Sequence, residues 1–282
     1  MAIKTIGVVG VGTMGTGIVQ IAAAAGYEVV LKDLSEEKNH KCVQAVSKGL
    51  AKLVEKGKLS EADKNNALGR IRNTMDMKDF GAADIVIEAV YEDVDAKMKM
   101  LGELCGIFKP DAIIATNTSS ISITRLATAT KRANQFVGMH FFNPVPLMGL
   151  VEVIRGQHSD DATVEAVKDL AQKLGKTPVV CKDSPGFVVN RILLMLMNEA
   201  IHALQEGIAT REEIDSAMKL GAGHPMGPLA LCDLVGLDVT LAVMDVFVDQ
   251  FKDSKYRAPV LLRRMVEAGK LGRKTGEGFY KY

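Results

Sequence analysis

Apolar residues along this chain recur with two different periods. From residue 3 to about residue 154, short apolar runs of strand length alternate with longer segments in which apolar positions have helical spacing. This alternation is typical of a parallel sheet covered by helices. The predicted strands are 3–9, 28–33, 85–89, 113–116, 136–140 and 150–154, with a further candidate at 178–181.

An insertion larger than a simple crossover separates the second and third predicted strands. Its apolar residues in 42–54 recur at helical spacing, and a second helix that includes Leu68 is expected to pair with that helix. After Pro185 the strand pattern stops, and the remaining segments are helical with glycine-rich turns. We therefore predict an α/β domain over residues 1–183 and a smaller all-helical C-terminal domain over residues 184–282.

Composition indicates a globular chain whose binding sites are local. A chain of 282 residues, 48% of them hydrophobic and 24% charged, can bury a large core. Its 35 Lys and Arg nearly balance 34 Asp and Glu, so no overall field attracts nucleic acid or anionic lipid. The longest apolar run in the most apolar region, residues 192–197, is too short to span a bilayer. We expect neither a nucleic-acid nor a membrane partner.

The four cysteines lie far apart, without a CxxC pair or a nearby histidine cluster. This spacing favours neither a disulfide framework nor a metal site. The N-terminus runs directly into a predicted strand instead of the charged and apolar regions of a signal peptide. We therefore expect a cytoplasmic protein that needs no metal.

A glycine-rich turn directly follows the first predicted strand and opens a helical segment. Gly10, Gly12 and Gly15 have the GxGxxG spacing, in which the first glycine permits a tight turn and the second lets a pyrophosphate approach the backbone. The third lets the helix pack on the strand. The unpaired N–H groups of the helix N-terminus, with Thr13 and Met14, would then hold the pyrophosphate. This arrangement predicts a Rossmann-type, doubly wound, mostly parallel sheet with a helical insertion.

Asp33 lies at the end of the second predicted strand, about where a carboxylate accepts hydrogen bonds from the adenosine ribose. A negative charge there also repels a 2′-phosphate, so NAD is the expected cofactor, although the adjacent Lys32 weakens this inference. The alternative is that Asp33 only caps the next helix. Although a GxGxxG motif alone is a weak signal, the turn and the acid together predict NAD binding.

Polar residues follow two successive strands of the predicted sheet, where open α/β sheets bind their ligands. Ser119 follows one strand, and His140, alone among five histidines, ends the next. If 136–141 and 150–154 run antiparallel, His140 faces Glu152, a carboxylate that is costly to bury without a partner. Such a pair fixes the tautomer of the imidazole and suits it to act as a general base. The alternative is a structural histidine beside a solvent-facing glutamate.

Several motifs, in this order over essentially the full chain, resemble those of the 3-hydroxyacyl-CoA dehydrogenase family. Besides the glycine fingerprint they are NTSS, GMHFFNPVP, LVEVIRG, SPGFVVNR, GHPMGP and LGRKTGEGFY. The combination of HFFNP with LVEVI at this spacing is highly specific. The resemblance is closest to the stand-alone short-chain 3-hydroxybutyryl-CoA dehydrogenases of butyrate-forming bacteria. It implies an NAD-dependent oxidoreductase that interconverts (S)-3-hydroxyacyl-CoA and 3-oxoacyl-CoA.

The resemblance also implies roles for residues that match the motifs. His140 would be the general acid and base, Glu152 would orient it, and Ser119 and Asn190 would hydrogen-bond the substrate. Independently, an amide among apolar neighbours near a helix start needs partners, although Asn190 could instead cap that helix. The implied cofactor contacts beyond the glycine loop are Asp33, Glu92, Lys97, Asn117, Ser119, Asn143 and Lys274. Lys99 remains an alternative to Lys97.

A stripe of lysines on the insertion helix offers positive charge for the phosphates of coenzyme A. Lys48, Lys52 and Lys56 recur at every fourth position, beside the apolar face of the helix. Such a stripe is usually only solvated surface. With the resemblance, Lys52 and Lys56 become candidates for binding an acyl-CoA such as acetoacetyl-CoA or 3-hydroxybutyryl-CoA.

We expect the C-terminal domain to contribute to the substrate site and to form a homodimer, or a higher homo-oligomer, through its apolar helices. One rival is a dehydrogenase for a small sugar acid or hydroxy acid without coenzyme A. Another is a nucleotide-sensing or structural protein, but binding alone does not need a paired base such as His140.

Overall fold

One eight-stranded sheet carries the N-terminal part of the computed structural model, which describes residues 3–282. The strands are β1 (Thr5–Val9), β2 (Glu28–Lys32), β3 (Ile71–Asn73), β4 (Ile85–Glu88), β5 (Ile113–Thr116), β6 (Phe136–Phe141), β7 (Leu150–Arg155) and β8 (Thr177–Lys182). They lie in the order β3-β2-β1-β4-β5-β6-β7-β8. Neighbours are parallel throughout except β6 and β7, which are antiparallel. The predicted doubly wound, mostly parallel sheet is confirmed.

Helices cover the sheet and form the predicted insertion. They are α1 (Thr13–Ala24), α2 (Glu36–Glu55), α3 (Glu61–Gly69), α4 (Val94–Leu104), α5 (Ile123–Ala127) and α6 (Asp161–Lys173). The insertion consists of α2 and α3, whose N-termini are capped by the Ser35 and Ser60 side chains. Apolar side chains of α2, among them Val46 and Leu50, are buried in the same core as the sheet. The helical insertion is therefore confirmed.

Several strands differ from the prediction in extent, and one of them was not predicted. β2 stops at Lys32 because the Asp33 N–H donates to the Asn39 Oδ1 atom, at 2.7 Å, instead of to a neighbouring strand. The sequence pattern missed β3, which has three residues of which only Ile71 is apolar. The last strand, β8, pairs in parallel with β7 over six residues, two more at its ends than predicted.

The C-terminal unit is built from helices, as predicted. The described residues divide into two compact units between Ser184 and Pro185. The second unit contains α7 (Val189–Gln205), α8 (Arg211–Gly221), α9 (Pro228–Val235), α10 (Leu237–Phe251) and α11 (Val260–Glu267). Its tail is fixed because the buried Asp233 carboxylate accepts the N–H groups of Phe279 and Tyr280, at 2.8 and 2.9 Å. In residues 3–282, none of the helices combines the length and the apolar character needed to cross a membrane.

Close packing around Gly138 sets the path of β6. This residue pairs with Ile154 of β7, and a β-carbon on it would lie 2.8 Å from the Ile154 Cβ atom and 2.9 Å from the Ile123 Cδ1 atom. Both distances are below van der Waals contact, so only glycine lets the two strands and α5 approach this closely. The spacing of β6 and β7 therefore depends on a missing side chain two residues before His140.

We predict that Gly138→Ala lowers the free energy of unfolding by about 1–3 kcal/mol, the usual cost of overpacking a core. Gly149→Ala is the matched control, because a β-carbon there has no atom within 4 Å. Urea unfolding of both variants measures the difference. Equal stability of the two variants would mean that the sheet adjusts without cost at Gly138.

Candidate active site

His140 and Glu152 face each other across β6 and β7. The two residues are paired in the strand register, and the His140 Nδ1 atom lies 2.8 Å from the Glu152 Oε2 atom. The glutamate side chain has no exposure to solvent, and the histidine is buried as well. The Phe142 ring, with its centroid 4.5 Å from that of His140, limits rotation of the imidazole. The predicted antiparallel pairing is confirmed, and Glu152 is not solvent-facing.

The Glu92 carboxylate is hydrogen-bonded to the polar turn that follows β5. Its Oε1 atom accepts hydrogen bonds from the Thr118 hydroxyl and from the N–H groups of Ser119 and Ser120, the last two at 2.9 and 3.2 Å. Burial alone would raise the pKa of Glu92, but the Lys97 charge and these donors outweigh it and hold the pKa below its usual range. The carboxylate therefore stays charged and fixes the backbone that carries Ser119.

A buried ion pair lies beneath this turn. The Lys97 Nζ atom is 2.5 Å from the Glu88 Oε1 atom, and both side chains are only 1% exposed. Lys97 is also 3.4 Å from the Glu92 carboxylate, whereas Lys99 is exposed. The structure thus brings Lys97, rather than Lys99, together with the other candidate residues.

Sequence reasoning missed Glu88, although the signal was present. Glu88 ends the apolar strand β4 just as Glu152 interrupts the apolar strand β7, and a carboxylate in such a place needs partners. Besides Lys97, it accepts hydrogen bonds from the Thr116 hydroxyl at 2.6 Å and the Val90 N–H at 2.7 Å. These contacts join the ends of β4 and β5.

Asn117 contacts the end of β6, and Asn143 lies in the loop that follows this strand. The Asn117 Oδ1 atom accepts the Phe141 N–H at 2.9 Å and so links the turn after β5 to the strand that carries His140. Asn143 is exposed in the loop between β6 and β7. Lys176 holds that loop by donating to the carbonyls of Val145 and Met148 at 2.6 and 2.8 Å. Nothing in the sequence distinguishes Lys176 from a surface lysine.

The glycine-rich turn has the geometry that a pyrophosphate requires. Gly10 has φ +88°, and a β-carbon there would lie 2.7 Å from the Ala89 backbone. A β-carbon on Gly15 would lie 1.9 Å from the Gly10 carbonyl oxygen, whereas Gly12 is exposed with open space around its α-carbon. The first turn of α1, which includes Thr13, contains no acidic residue. No side chain caps the N-terminus of α1 either, so no side chain competes there with an anion for the N–H groups.

Asp33 is tied to the glycine-rich turn. Its Oδ2 atom accepts the Val11 N–H at 2.8 Å, and its Oδ1 atom accepts the Leu34 N–H at 2.7 Å. Burial alone would raise the pKa of Asp33, but these N–H groups and Lys38 outweigh it and keep the pKa below its usual range. The residues present therefore fit a dinucleotide, with an anion-accepting turn beside a charged carboxylate.

The other candidates lie on exposed or half-buried positions. Lys52 and Lys56 are exposed, with Lys56 in the C-cap position directly after α2. In the C-terminal unit, Asn190 is half-buried in the first turn of α7. Lys274 forms an ion pair with the Asp238 carboxylate at 2.5 Å. Across residues 3–282, no group of three or more His, Cys, Asp or Glu side chains is placed to hold a metal ion.

Comparisons with known proteins identify close relatives. The family model for the NAD binding domain of 3-hydroxyacyl-CoA dehydrogenase matches residues 5–184, and the model for its C-terminal domain matches residues 186–282. The 3-hydroxybutyryl-CoA dehydrogenase of Bradyrhizobium diazoefficiens is 52% identical over 280 residues, which cover 99% of this chain and 96% of that protein. The corresponding protein of Clostridioides difficile is 51% identical over 278 residues, 98% of each chain.

A solved structure also matches this chain over its full length. The crystal structure of (S)-3-hydroxybutyryl-CoA dehydrogenase from Ralstonia eutropha matches with a TM-score of 0.98 and 54% sequence identity. The match covers 100% of this chain and 99% of that chain. These comparisons confirm the resemblance that the motifs indicate, and with it NAD as the cofactor.

We predict that Lys97→Met lowers the free energy of unfolding by about 3–5 kcal/mol, because it leaves the buried Glu88 charge without its partner. Lys99→Met, two positions along the same helix, is the matched control and should change stability little. Thermal or urea unfolding measures both. If Lys97→Met proves as stable as its control, the ion pair between Lys97 and Glu88 contributes no net stability.

Proposed function

Since the chain belongs to the 3-hydroxyacyl-CoA dehydrogenase family and is an NAD-dependent enzyme of that family, we propose that it interconverts 3-hydroxybutyryl-CoA and acetoacetyl-CoA. The reacting alcohol has the S configuration in this proposal. The names of relatives more than half identical to this chain support the short acyl chain. The observation that carries the chemistry is the buried hydrogen bond between His140 and Glu152.

His140 acts as the general acid and base in this proposal. The Nδ1 atom faces the Glu152 carboxylate, so a proton on Nδ1 leaves the lone pair of Nε2 to accept the proton of the 3-hydroxyl. Bound NAD supplies the hydride acceptor during oxidation and, as NADH, the hydride donor during reduction. In the reduction direction, Nε2 returns its proton to the 3-oxygen.

Glu152 stabilises the charge that forms on the imidazole. When His140 takes a proton, its positive charge lies 2.8 Å from a carboxylate that is shielded from water, where electrostatic interactions are stronger than in solvent. Ser119 and Asn190 are proposed to donate hydrogen bonds to the substrate near C3, so that the reacting oxygen stays in line with His140. The Glu92 contacts support this role for Ser119, because they fix its backbone.

NAD binding is assigned to the glycine turn and the carboxyl ends of the strands. We assign the pyrophosphate to the N-terminus of α1 and the adenosine ribose to Asp33. The remaining proposed contacts, by family resemblance, are Glu92, Lys97, Asn117, Ser119, Asn143 and Lys274. Because Lys97 and Lys274 are each paired with a carboxylate, their contacts with the cofactor would be shared with Glu88 and Asp238.

The coenzyme A phosphates are assigned to Lys52 and Lys56. Both side chains are exposed at the C-terminal end of α2, where an ammonium group can reach a phosphate without losing an ion pair described for it. Cationic groups at this helix end also offset the negative end of the helix dipole.

Assembly as a homodimer, or as a higher homo-oligomer, is part of the proposal. Large apolar side chains are exposed on the C-terminal helices, namely Ile192, Leu220, Leu234, Val239 and Val260. Exposed apolar residues in such number favour self-association, and light scattering in solution would measure the molar mass. A cytoplasmic setting is proposed as well, because all four cysteines are free thiols.

We predict that His140→Ala lowers kcat for acetoacetyl-CoA reduction by about 100-fold or more, the usual contribution of a positioned acid and base. Glu152→Gln keeps the shape of the side chain but removes its charge, so kcat should fall as well. NADH binding, followed by fluorescence, should persist in both variants and serves as the control for folding. Near-normal kcat of either variant at saturating substrate would refute the roles of the pair.

For Lys52→Ala/Lys56→Ala, we predict a rise of roughly tenfold in KM for acetoacetyl-CoA with a smaller change in kcat. Charge contacts far from C3 are alike in ground and transition states, so they act mainly on KM. The effect should shrink at high salt, which screens exposed charges. The control is Lys168→Ala/Lys173→Ala on α6, which removes the same amount of positive charge elsewhere and should leave KM unchanged.

A truncated thioester without the nucleotide separates the possible outcomes for this double variant. The variant should reduce the truncated substrate as the parent protein does. Equal impairment on both substrates would mean that the stripe acts through packing, and no impairment on either would make it solvated surface. If the parent protein reduces the truncated thioester but not acetoacetyl-CoA, the result would favour a dehydrogenase that does not need coenzyme A.

A further inference from the structure

Asp33 is held in place by three neighbouring segments. The Asn39 Oδ1 atom accepts the Asp33 N–H at 2.7 Å, and the Asn39 amide group donates to the Thr74 carbonyl at 3.1 Å. Asn39 is buried, so this contact is shielded from water. The Val11 N–H holds the carboxylate from the other side. The position of the Asp33 charge is therefore fixed by the fold.

Two ammonium groups contact Asp33, one at its carboxylate and the other at its backbone carbonyl. Lys38, in the first turn of α2, has its Nζ atom 3.2 Å from the Asp33 Oδ1 atom. The Lys38 side chain is 56% exposed, whereas that of Asp33 is 12% exposed. Lys32 donates from its Nζ atom to the Asp33 carbonyl at 3.1 Å. The carboxylate is thus held by backbone N–H groups, whereas the Lys38 side chain approaches it from the solvent side.

This arrangement bears on how the enzyme distinguishes NADH from NADPH. A carboxylate at the end of β2 disfavours a 2′-phosphate by charge repulsion, and a basic residue nearby accommodates one. Here both groups are present within one ion pair. A lysine ammonium acts as a mobile point charge, so it can partner a carboxylate or a phosphate.

We propose that Lys38 is a cofactor-specificity residue. It offsets the repulsion between Asp33 and a 2′-phosphate, and it binds the 2′-phosphate itself when the Asp33 charge is removed. This proposal rests on the proposed placement of the adenosine ribose at Asp33. It assigns to Lys38 a moderating role, so that NADPH is excluded less strictly than Asp33 alone would exclude it.

Binding of nucleotide fragments tests the proposal without catalysis. Calorimetry on the intact protein would compare adenosine 2′,5′-bisphosphate with adenosine 5′-monophosphate in the parent, Lys38→Ala, Asp33→Asn and the double variant. Asp33→Asn removes the charge but keeps an oxygen that can accept the Val11 N–H. Lys41→Ala is the control, because Lys41 lies on the same helix and pairs with Glu37 instead of Asp33.

Lys38→Ala should weaken binding of the bisphosphate by about tenfold relative to the monophosphate, in line with the loss of one charge-assisted contact. Asp33→Asn should shift the preference toward the bisphosphate, and the double variant should lose most of that gain. Lys41→Ala should leave the ratio unchanged. The Lys38 effect should diminish at high salt. Steady-state kinetics with NADPH and NADH should follow the same order.

The outcomes separate this proposal from the assignment of the ribose. If Asp33→Asn shifts the preference and Lys38→Ala does not, the role of Lys38 is wrong and the Asp33 assignment stands. If Asp33→Asn does not shift the preference, the adenosine ribose does not lie at Asp33, and the proposal for Lys38 falls with that placement. Equal effects of Lys38→Ala and Lys41→Ala would reduce Lys38 to general surface charge and overturn the proposal.

Discussion

Glu152 has no contact with solvent, and its carboxylate lies within hydrogen-bond distance of His140, directly opposite it in the sheet. A carboxylate buried among apolar strand residues is costly unless a partner shares its charge. The antiparallel pairing of β6 and β7 meets this requirement through the register, which places the two residues side by side. Gly138 permits the close approach of the strands. Within residues 3–282, the proposed chemistry thus depends on the one antiparallel pairing in an otherwise parallel sheet.

The same constraint recurs at the neighbouring strands. Glu88 ends β4 inside the protein, and Lys97 enters from α4 to neutralise it. Glu92, close to the same lysine, uses its remaining acceptor capacity on the turn that carries Ser119. Buried charge at the carboxyl edge of the sheet therefore orders the loops there, because each carboxylate must find donors. The sheet positions the candidate site as a consequence of satisfying its own buried acids.

Sequence patterns were sufficient to predict the fold class, the glycine turn, the position of Asp33 at the end of β2, and the pairing of His140 with Glu152. Each of these produces a local signal, either a period, a spacing or a charge inside an apolar run. The sequence did not predict the strand β3, because three residues with one apolar side chain produce no period. The sequence did not predict the roles of Asn39 and Lys176, because the partners of both side chains are backbone groups. These groups belong to Asp33, Thr74, Val145 and Met148. A hydrogen bond to a backbone group does not depend on the side chain of the partner residue, so the sequence pattern does not predict it.

The tautomer of His140 decides whether the proposed acid–base chemistry is possible, because Glu152 must keep the proton on Nδ1 and leave Nε2 basic. Nitrogen-15 NMR of the imidazole, assigned by comparison with His140→Ala, measures the two ring nitrogens separately. At a pH where the ring is neutral, we expect the proton on Nδ1 in the parent protein and a mixture of tautomers in Glu152→Gln. A proton on Nε2 in the parent protein, or an unchanged tautomer in Glu152→Gln, would mean that Glu152 does not set the tautomer of His140.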